Sequence, residues 1–215
     1  MSSRSQRMGP FPFESESAAE IALTFDDGPN EPFTSEIADF LDAEGIRGTF
    51  FQVGRAVRAH PELTQRLAAA GHVIGNHSDT HTFGNCLRAS KLATEIADAD
   101  ETFAQLGLAP ALYRPPWLLR VPALQPLLRD HGLTAVSGSF CHPLEVARID
   151  PARISRCAVR RSGPGAILIF HDGYNGRAAD RAESVEAIKL TVRSLKAQGH
   201  RFTTVDRLLN IPAYR

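Results

Sequence analysis

Apolar positions along this chain follow two alternating rhythms. Short β-prone runs lie near 21–25, 48–53, 72–76, 111–113, 133–136, 166–170 and 201–205. Between them, apolar residues recur every three or four positions near 33–43, 61–70, 91–106, 122–130, 151–161 and 182–198. That second spacing is the mark of one buried helix face. About seven strands thus alternate with helices, an order that predicts parallel βαβ units of an α/β fold. In a β/α barrel, the chemistry stands on the loops after the C-terminal ends of the strands.

Polar residues interrupt the pattern at those ends. Thr24-Phe25-Asp26-Asp27-Gly28 closes the first run, and Gly28-Pro29-Asn30 turns the chain. Two adjacent carboxylates repel each other unless a cation or an arginine holds them. A plain turn explains Asp-Asp-Gly equally well. His77 and His81 follow the third run. Four residues apart, they would share one face of a helical turn. A lone His-x-x-x-His is often chance, but a carboxylate pair after a separate strand makes three ligands available. Three protein ligands and an open position form the pattern of catalytic zinc. Which carboxylate would bind stays open at this point. Arg114 and His171 also fall just after strands, whereas His60, His72, His131 and His200 do not and read as structural or surface residues. Metal ligands, a general base and a general acid are what a metal hydrolase requires.

In this order the motifs resemble those of the polysaccharide deacetylases with a NodB-homology domain, carbohydrate esterase family four. Thr24 to Pro29 matches the Thr-Phe-Asp-Asp-Gly-Pro motif, and His77 to His81 matches His-Ser/Thr-x-x-His. Arg114-Pro115-Pro116-Trp117 and Ile169-Phe170-His171 match two later motifs. The resemblance covers roughly 21–209. It implies a single-domain distorted (β/α)7 barrel over 21–215, after an N-terminal extension of 1–20. It further implies one divalent ion held by Asp27, His77 and His81, usually zinc, with cobalt, nickel or manganese as alternatives. Asp26 would be the base, oriented by Arg114. The backbone N–H of Trp117 would help to stabilise the oxyanion, and His171 would protonate the departing amine. Ile169 would line the acetyl pocket.

Two departures from the family pattern matter. Leu118 follows Trp117 where glycine is usual. In place of the fourth motif's first aspartate, an ungapped reading puts Cys141, beside the substrate pocket. His171 is then expected to lack its carboxylate partner and to be less basic, with Ser139, His142 and Glu145 as candidate substitutes.

The implied activity is removal of N-acetyl groups from an amino sugar of an acetylated oligosaccharide or polysaccharide, of the chitin or peptidoglycan type. Other readings are a deacetylase of a non-carbohydrate amide, an O-acetyl esterase of the xylan type, and a weakly active carbohydrate-binding relative. Composition sets outer bounds. Lys+Arg 24 balances Asp+Glu 24, so net charge gives no reason to expect nucleic acid or an acidic membrane surface. Arg153, Arg156 and Arg160 recur at helical spacing and read as a solvated face. Cys86, Cys141 and Cys157 cannot all pair and read as free thiols. No run is long enough for a membrane span, and 1–20 lacks the apolar core of a secretory signal, which leads to the expectation of a cytoplasmic protein.

Overall fold

The computed structural model describes residues 20–141, 145–147 and 150–215. The expected N-terminal extension lies, up to residue 19, outside the described residues. Eight strands form one sheet: β1 Glu20–Asp26, β2 Thr49–Gln52, β3 Val73–Asn76, β4 Leu112–Tyr113, β5 Thr134–Ala135, β6 Ser139–Phe140, β7 Ile167–His171 and β8 Arg201–Thr203. Their order is β5-β4-β3-β2-β1-β7-β6, and β8 pairs with the first residues of β1. Every ladder is parallel. The sheet curls into an incomplete barrel whose ends, β5 and β6, are consecutive in the chain.

The helices are α1 Phe33–Ala43, α2 Gly54–Ala59, α3 Pro61–Ala69, α4 Phe83–Cys86, α5 Ala89–Ala104, α6 Leu124–Asp130, α7 Pro151–Arg161, α8 Ala182–Ala197 and α9 Val205–Leu209. The six long apolar periodicities all correspond to helices. Three short helices, α2, α4 and α9, carry too few residues for a period to show. The apolar run near 201–205 divides, because Val205 leaves the strand to start α9, its N–H donating to Thr49 Oγ1 at 3.1 Å. The eighth strand, β6, has no apolar run to announce it. It depends on Gly138, where a Cβ would stand 2.9 Å from the Ile167 carbonyl oxygen.

β1 shows why the strand sequences read as continuous apolar runs. Ile21, Leu23 and Phe25 face the main core with Leu41 of α1 and Ile188 and Val192 of α8. Ala22, on the opposite face, joins Phe51, Ile167 and Val205 inside the curl. Both faces are covered, as in parallel sheets generally. Each such large side chain contributes about 1.5–3 kcal/mol on burial. The core holds the strand ends in fixed register, so the groups on the loops above them inherit that rigidity.

Candidate active site

Asp26 is the last residue of β1 and shares the inner face with Ala22 and Thr24. Its register partner on β7 is His171. Arg114 extends β4 by one bond, its N–H donating to the Asn76 carbonyl at 2.9 Å. The Arg114 side chain is fully buried. One terminal nitrogen donates to Asp26 Oδ1 at 2.7 Å and to Thr24 Oγ1 at 2.6 Å; the other donates to the Ser137 carbonyl at 3.1 Å. The guanidinium also stacks 4.0 Å from the centre of the Phe51 ring. Burial lowers its pKa while Asp26 raises it, and a guanidinium stays charged throughout. Asp26 is therefore a carboxylate with a fixed cationic partner on one oxygen. Removing either partner would strand an uncompensated buried charge.

Asp27 points elsewhere. Its φ of 80° takes the chain out of the strand, a conformation that aspartate tolerates better than most residues. Its Oδ1 lies 3.5 Å from His77 Nε2 and 3.2 Å from His81 Nε2. One ligand atom from each of the three residues falls within 4.8 Å of the others, and all three residues are buried. The two histidines do not share a helical turn as expected. Residues 77–82 form a bent loop in which Ser78 (φ 67°) and His81 (φ 52°) are left-handed. The loop doubles back and brings the imidazoles to a centroid distance of 4.8 Å.

Protonation states follow from the surroundings. His77 Nδ1 is 2.7 Å from the Arg114 carbonyl oxygen. A carbonyl only accepts, so Nδ1 is the donor and Nε2 is the nitrogen turned inward. Burial brings the His81 pKa down to about 3, with His77 adding to the effect against the pull of Asp27. Burial pushes Asp27 upward, but His77 and the other imidazoles outweigh it and hold the carboxyl well below the usual range. Asp27 Oδ1 has no hydrogen-bond partner. Two imidazole nitrogens and a carboxylate oxygen turned toward one another are a ligand set that fits a divalent cation.

Further buried groups hold this cluster. Glu95 on α5 accepts from the N–H groups of Asp79 and Thr80, from Thr80 Oγ1 and from Asn85 Nδ2, at 2.5–3.1 Å. Asn76 Oδ1 accepts from the Ser78 N–H at 2.8 Å. Arg58 clasps the Asp79 carboxylate at 2.6 and 3.0 Å. On the other side, Asp172 accepts from the Gly28 N–H at 3.0 Å and from Thr34 Oγ1 at 2.5 Å. Burial raises its pKa to about 7 against the Thr34 hydrogen bond. A Cβ at residue 28 would stand 2.0 Å from Asp172, so glycine is required there.

His171 ends β7. Its Nδ1 lies 2.7 Å from Glu145 Oε2, and its N–H donates to Glu145 Oε1 at 3.4 Å. Glu145 is 3% exposed, on a single 3₁₀ turn, Glu145–Ala147. Burial alone would lower the His171 pKa. The Glu145 charge and hydrogen bond, with Asp27 and Asp26 beyond, raise it to about 9. The expectation of a histidine without a carboxylate, and hence of a weakened acid, is corrected: the partner comes from four residues further along the chain. Cys141, placed by the sequence beside the substrate pocket, is 1% exposed and packs in the main apolar core with Ile154, Ala158 and Leu168. His142 lies outside the described residues.

Ile169 shares the inner face of β7 with His171, two residues below it, and is buried. Trp117 sits on a 3₁₀ turn, Pro116–Leu118, with φ 53°, and Leu118 follows at φ 54°. The indole packs edge-on to His81, with ring centroids 4.2 Å apart. Asp27, Ser78, His81, Trp117 and Leu118 account for five of the seven non-glycine residues with positive φ among the described residues. Backbone conformations of this kind concentrate where a site must be held in shape.

Comparison with known proteins follows the same lines. The family profile for polysaccharide deacetylase matches residues 14–136. A peptidoglycan-N-acetylglucosamine deacetylase of Bacillus cereus is 33% identical over 190 residues, covering 88% of this chain and 87% of that protein. The chain belongs to the polysaccharide deacetylase family. A chitooligosaccharide deacetylase of a Bradyrhizobium species is 29% identical over 197 residues, covering 87% of this chain and 90% of its own. The crystal structure of a peptidoglycan N-acetylglucosamine deacetylase matches with a TM-score of 0.85 at 27% identity, over 94% of both chains. A family 4 carbohydrate esterase from Streptomyces lividans matches at 0.74 and 27% identity, over 86% of this chain and 91% of its own. The incomplete barrel is therefore the distorted (β/α)7 barrel of these deacetylases.

Within this polysaccharide deacetylase, motif reading missed the groups that shape the loops. Glu95 left a trace in the sequence: it sits in the apolar stripe of α5 with Leu92, Ile96 and Ala99, where a carboxylate is out of place unless it has partners. Asp172 and Asn30 left none, because their bonds run between positions 138 or more apart, save for the local one from Asn30 to Thr34. The three cysteines are free and buried. Among the described residues no helix is long and apolar enough to cross a membrane.

Proposed function

We propose that this protein hydrolyses the N-acetyl group of an N-acetylglucosamine-type residue in a glycan, releasing acetate and leaving a free amine. The observation that carries the reading is the convergence at one end of β1 of three arrangements: a carboxylate held by arginine, an Asp-His-His cluster and a carboxylate-paired histidine. The printed activities of the Bacillus cereus and Bradyrhizobium relatives support N-acetylglucosamine in peptidoglycan or chito-oligosaccharides as the substrate class. Asp27, His77 and His81 would hold a divalent ion, zinc by family habit. Such an ion supplies Lewis acidity that makes water a competent nucleophile near neutral pH and polarises a carbonyl.

The residues of the chain do the rest. Asp26 takes a proton from the attacking water, and Arg114 holds that carboxylate pointed inward. The Trp117 N–H stands in the role of donor to the acetyl oxygen as negative charge gathers there. Ile169 shapes an apolar seat for the methyl group. His171, held protonated by Glu145, gives its proton to the nitrogen as the C–N bond breaks. An amine is a poor leaving group without that proton. The Glu145 partner favours an active enzyme over an inactive binding relative. The test is acetate release from tetra-N-acetylchitotetraose and from peptidoglycan, with acetylated xylan and acetylated polyamines as controls. Release from the first two, abolished by chelator and restored by zinc, is expected. Turnover of the controls alone would overturn the proposal.

A further inference from the structure

Beside the Asp-His-His cluster runs a row of three aromatic rings. His81 contacts Trp117 at 4.2 Å between centroids, with planes at 61°. Trp117 in turn contacts Phe83 at 5.2 Å, with planes at 77°. Exposure rises outward along the row, from 6% at His81 to 40% at Trp117 and 52% at Phe83. The row therefore starts in the site and ends in solvent. Phe83 opens α4, directly after the histidine loop. Trp117 is held in place by a left-handed backbone at two successive residues, 117 and 118. The two side chains thus come from separate loops, after β3 and after β4, and meet only in the folded protein.

Such an arrangement runs against the chain's ordinary interest. Two large aromatic side chains left in water forgo the stabilisation that burial would bring. Contiguous exposed apolar surface beside a site marks a contact surface. A pyranose ring suits it well: its axial C–H groups form an apolar face, while its hydroxyls point outward at the edge. An aromatic ring accepts that face through dispersion and its negative π-cloud. No side-chain charge stands in the row, so what it offers is shape and apolar area.

Resting on the deacetylase reading above, we propose that Phe83, braced by Trp117, is a stacking shelf for a neighbouring sugar of the same glycan, so that this protein selects oligomers over single N-acetylated sugars. Phe83 fixes specificity and takes no part in bond breaking. The occupant is a pyranose one or more units along the chain from the residue that reacts.

Trp117 is the single tryptophan of the chain, so its emission reports on the shelf directly. Titration with tetra-N-acetylchitotetraose should shift the fluorescence at concentrations at least about tenfold below those needed with N-acetylglucosamine, the scale of one aromatic contact. In turnover, Phe83→Ser should lower kcat/KM on the tetramer by about five- to tenfold, chiefly through KM, and lower it much less on the monosaccharide. Phe83→Tyr keeps a ring and should restore most of the loss. Equal losses on both substrates, or no loss on either, would overturn the shelf. So would self-association of the wild-type chain in sedimentation that Phe83→Ser abolishes, because a second copy would then be the occupant. If the wild-type protein releases no acetate from any glycan, the deacetylase reading fails, while the fluorescence titration still decides whether the shelf binds sugar.

Discussion

The two sides of β1 make an instructive contrast. On the side of β3 and β4 stand the Asp-His-His cluster and the arginine that holds Asp26; on the side of β6 and β7 stand His171 and Glu145. On the first side, the residues that the motifs single out converge. On the second, the histidine is where its motif puts it, but its carboxylate comes from a 3₁₀ turn four residues past the expected position. The difference lies in what each side demands. A cation cluster needs three atoms within a narrow radius, and a fixed loop geometry is the surest way to supply them. An acid histidine needs only negative charge at Nδ1. Any loop that delivers a buried carboxylate to that nitrogen will serve.

The strongest way to break the contrast is to remove a member of the first side. His77→Ala takes one of three ligand atoms and should abolish activity, with metal content falling below one half-equivalent by elemental analysis. Full metal content in that variant would mean that the cluster is not the site. Asp26→Asn should retain the metal but lower kcat by about two to four orders of magnitude, the range for a positioned acid–base group. Near-normal turnover of the metal-replete variant would reassign the base.

Glu145→Gln tests the second side. His171 is raised from 6.5 to about 9 by Glu145 against the effect of burial. The acid form exists below its pKa, so the wild-type rate on amide substrates should fall as pH rises through about 9. Without the Glu145 charge the pKa drops, and that descending limb should move to lower pH, with kcat at neutral pH falling by about tenfold or more. O-acetyl esters, whose leaving oxygen needs less help, should lose less. Folding stability carries the same sign. The histidine binds its proton more tightly in the folded chain, so the pair's contribution is complete below about 6.5 and is lost as pH rises through about 9. An unmoved limb in Glu145→Gln would assign the acid to another group.

These outcomes bear on what a sequence can disclose. The six longer helices and every strand but β6 were legible because both faces of a parallel sheet are apolar and each covering helix has one apolar stripe. Asp26, Asp27, His77, Arg114 and His171 were legible as candidates because each stands at or just past the end of an apolar run, and His81 because it repeats His77 four residues on. The left-handed turns at Ser78 and His81 were not, and the helical spacing of the histidines pointed to the wrong local geometry for the right neighbourhood. Cys141 shows the limit of ungapped matching. A segment of short β6 and a 3₁₀ turn can slide its functional carboxylate along the chain while the strands on either side stay in register.

A milder change sharpens the picture of the first side. Glu95→Gln should leave the fold intact but weaken zinc binding by about ten- to a hundredfold, the scale for groups that orient metal ligands. A neutral amide still accepts from the loop but cannot satisfy four donors equally well. Calorimetric titration of zinc into the metal-free variant reads the effect. Unchanged affinity would show that the Arg58–Asp79 pair and the Asn76 bond to Ser78 fix the loop without the Glu95 charge.

The smallest expected effect is at Leu118. Its φ of 54° places a side chain where glycine suffers no steric cost. A left-handed conformation costs an L-residue roughly 1–2 kcal/mol. Glycine returns roughly 0.5–1 kcal/mol of that through the greater freedom of its unfolded chain. Leu118 is half-buried, so its packing sets the remainder. Leu118→Gly should therefore be neutral to slightly stabilising, with a rise in Tm of no more than a few degrees. Leu118→Ala keeps the backbone cost, loses the packing and should lower Tm. If both variants fall equally, packing governs this position and the backbone strain is negligible. If only the alanine variant falls, the leucine is held in a glycine's conformation and the turn that aims Trp117 is under tension.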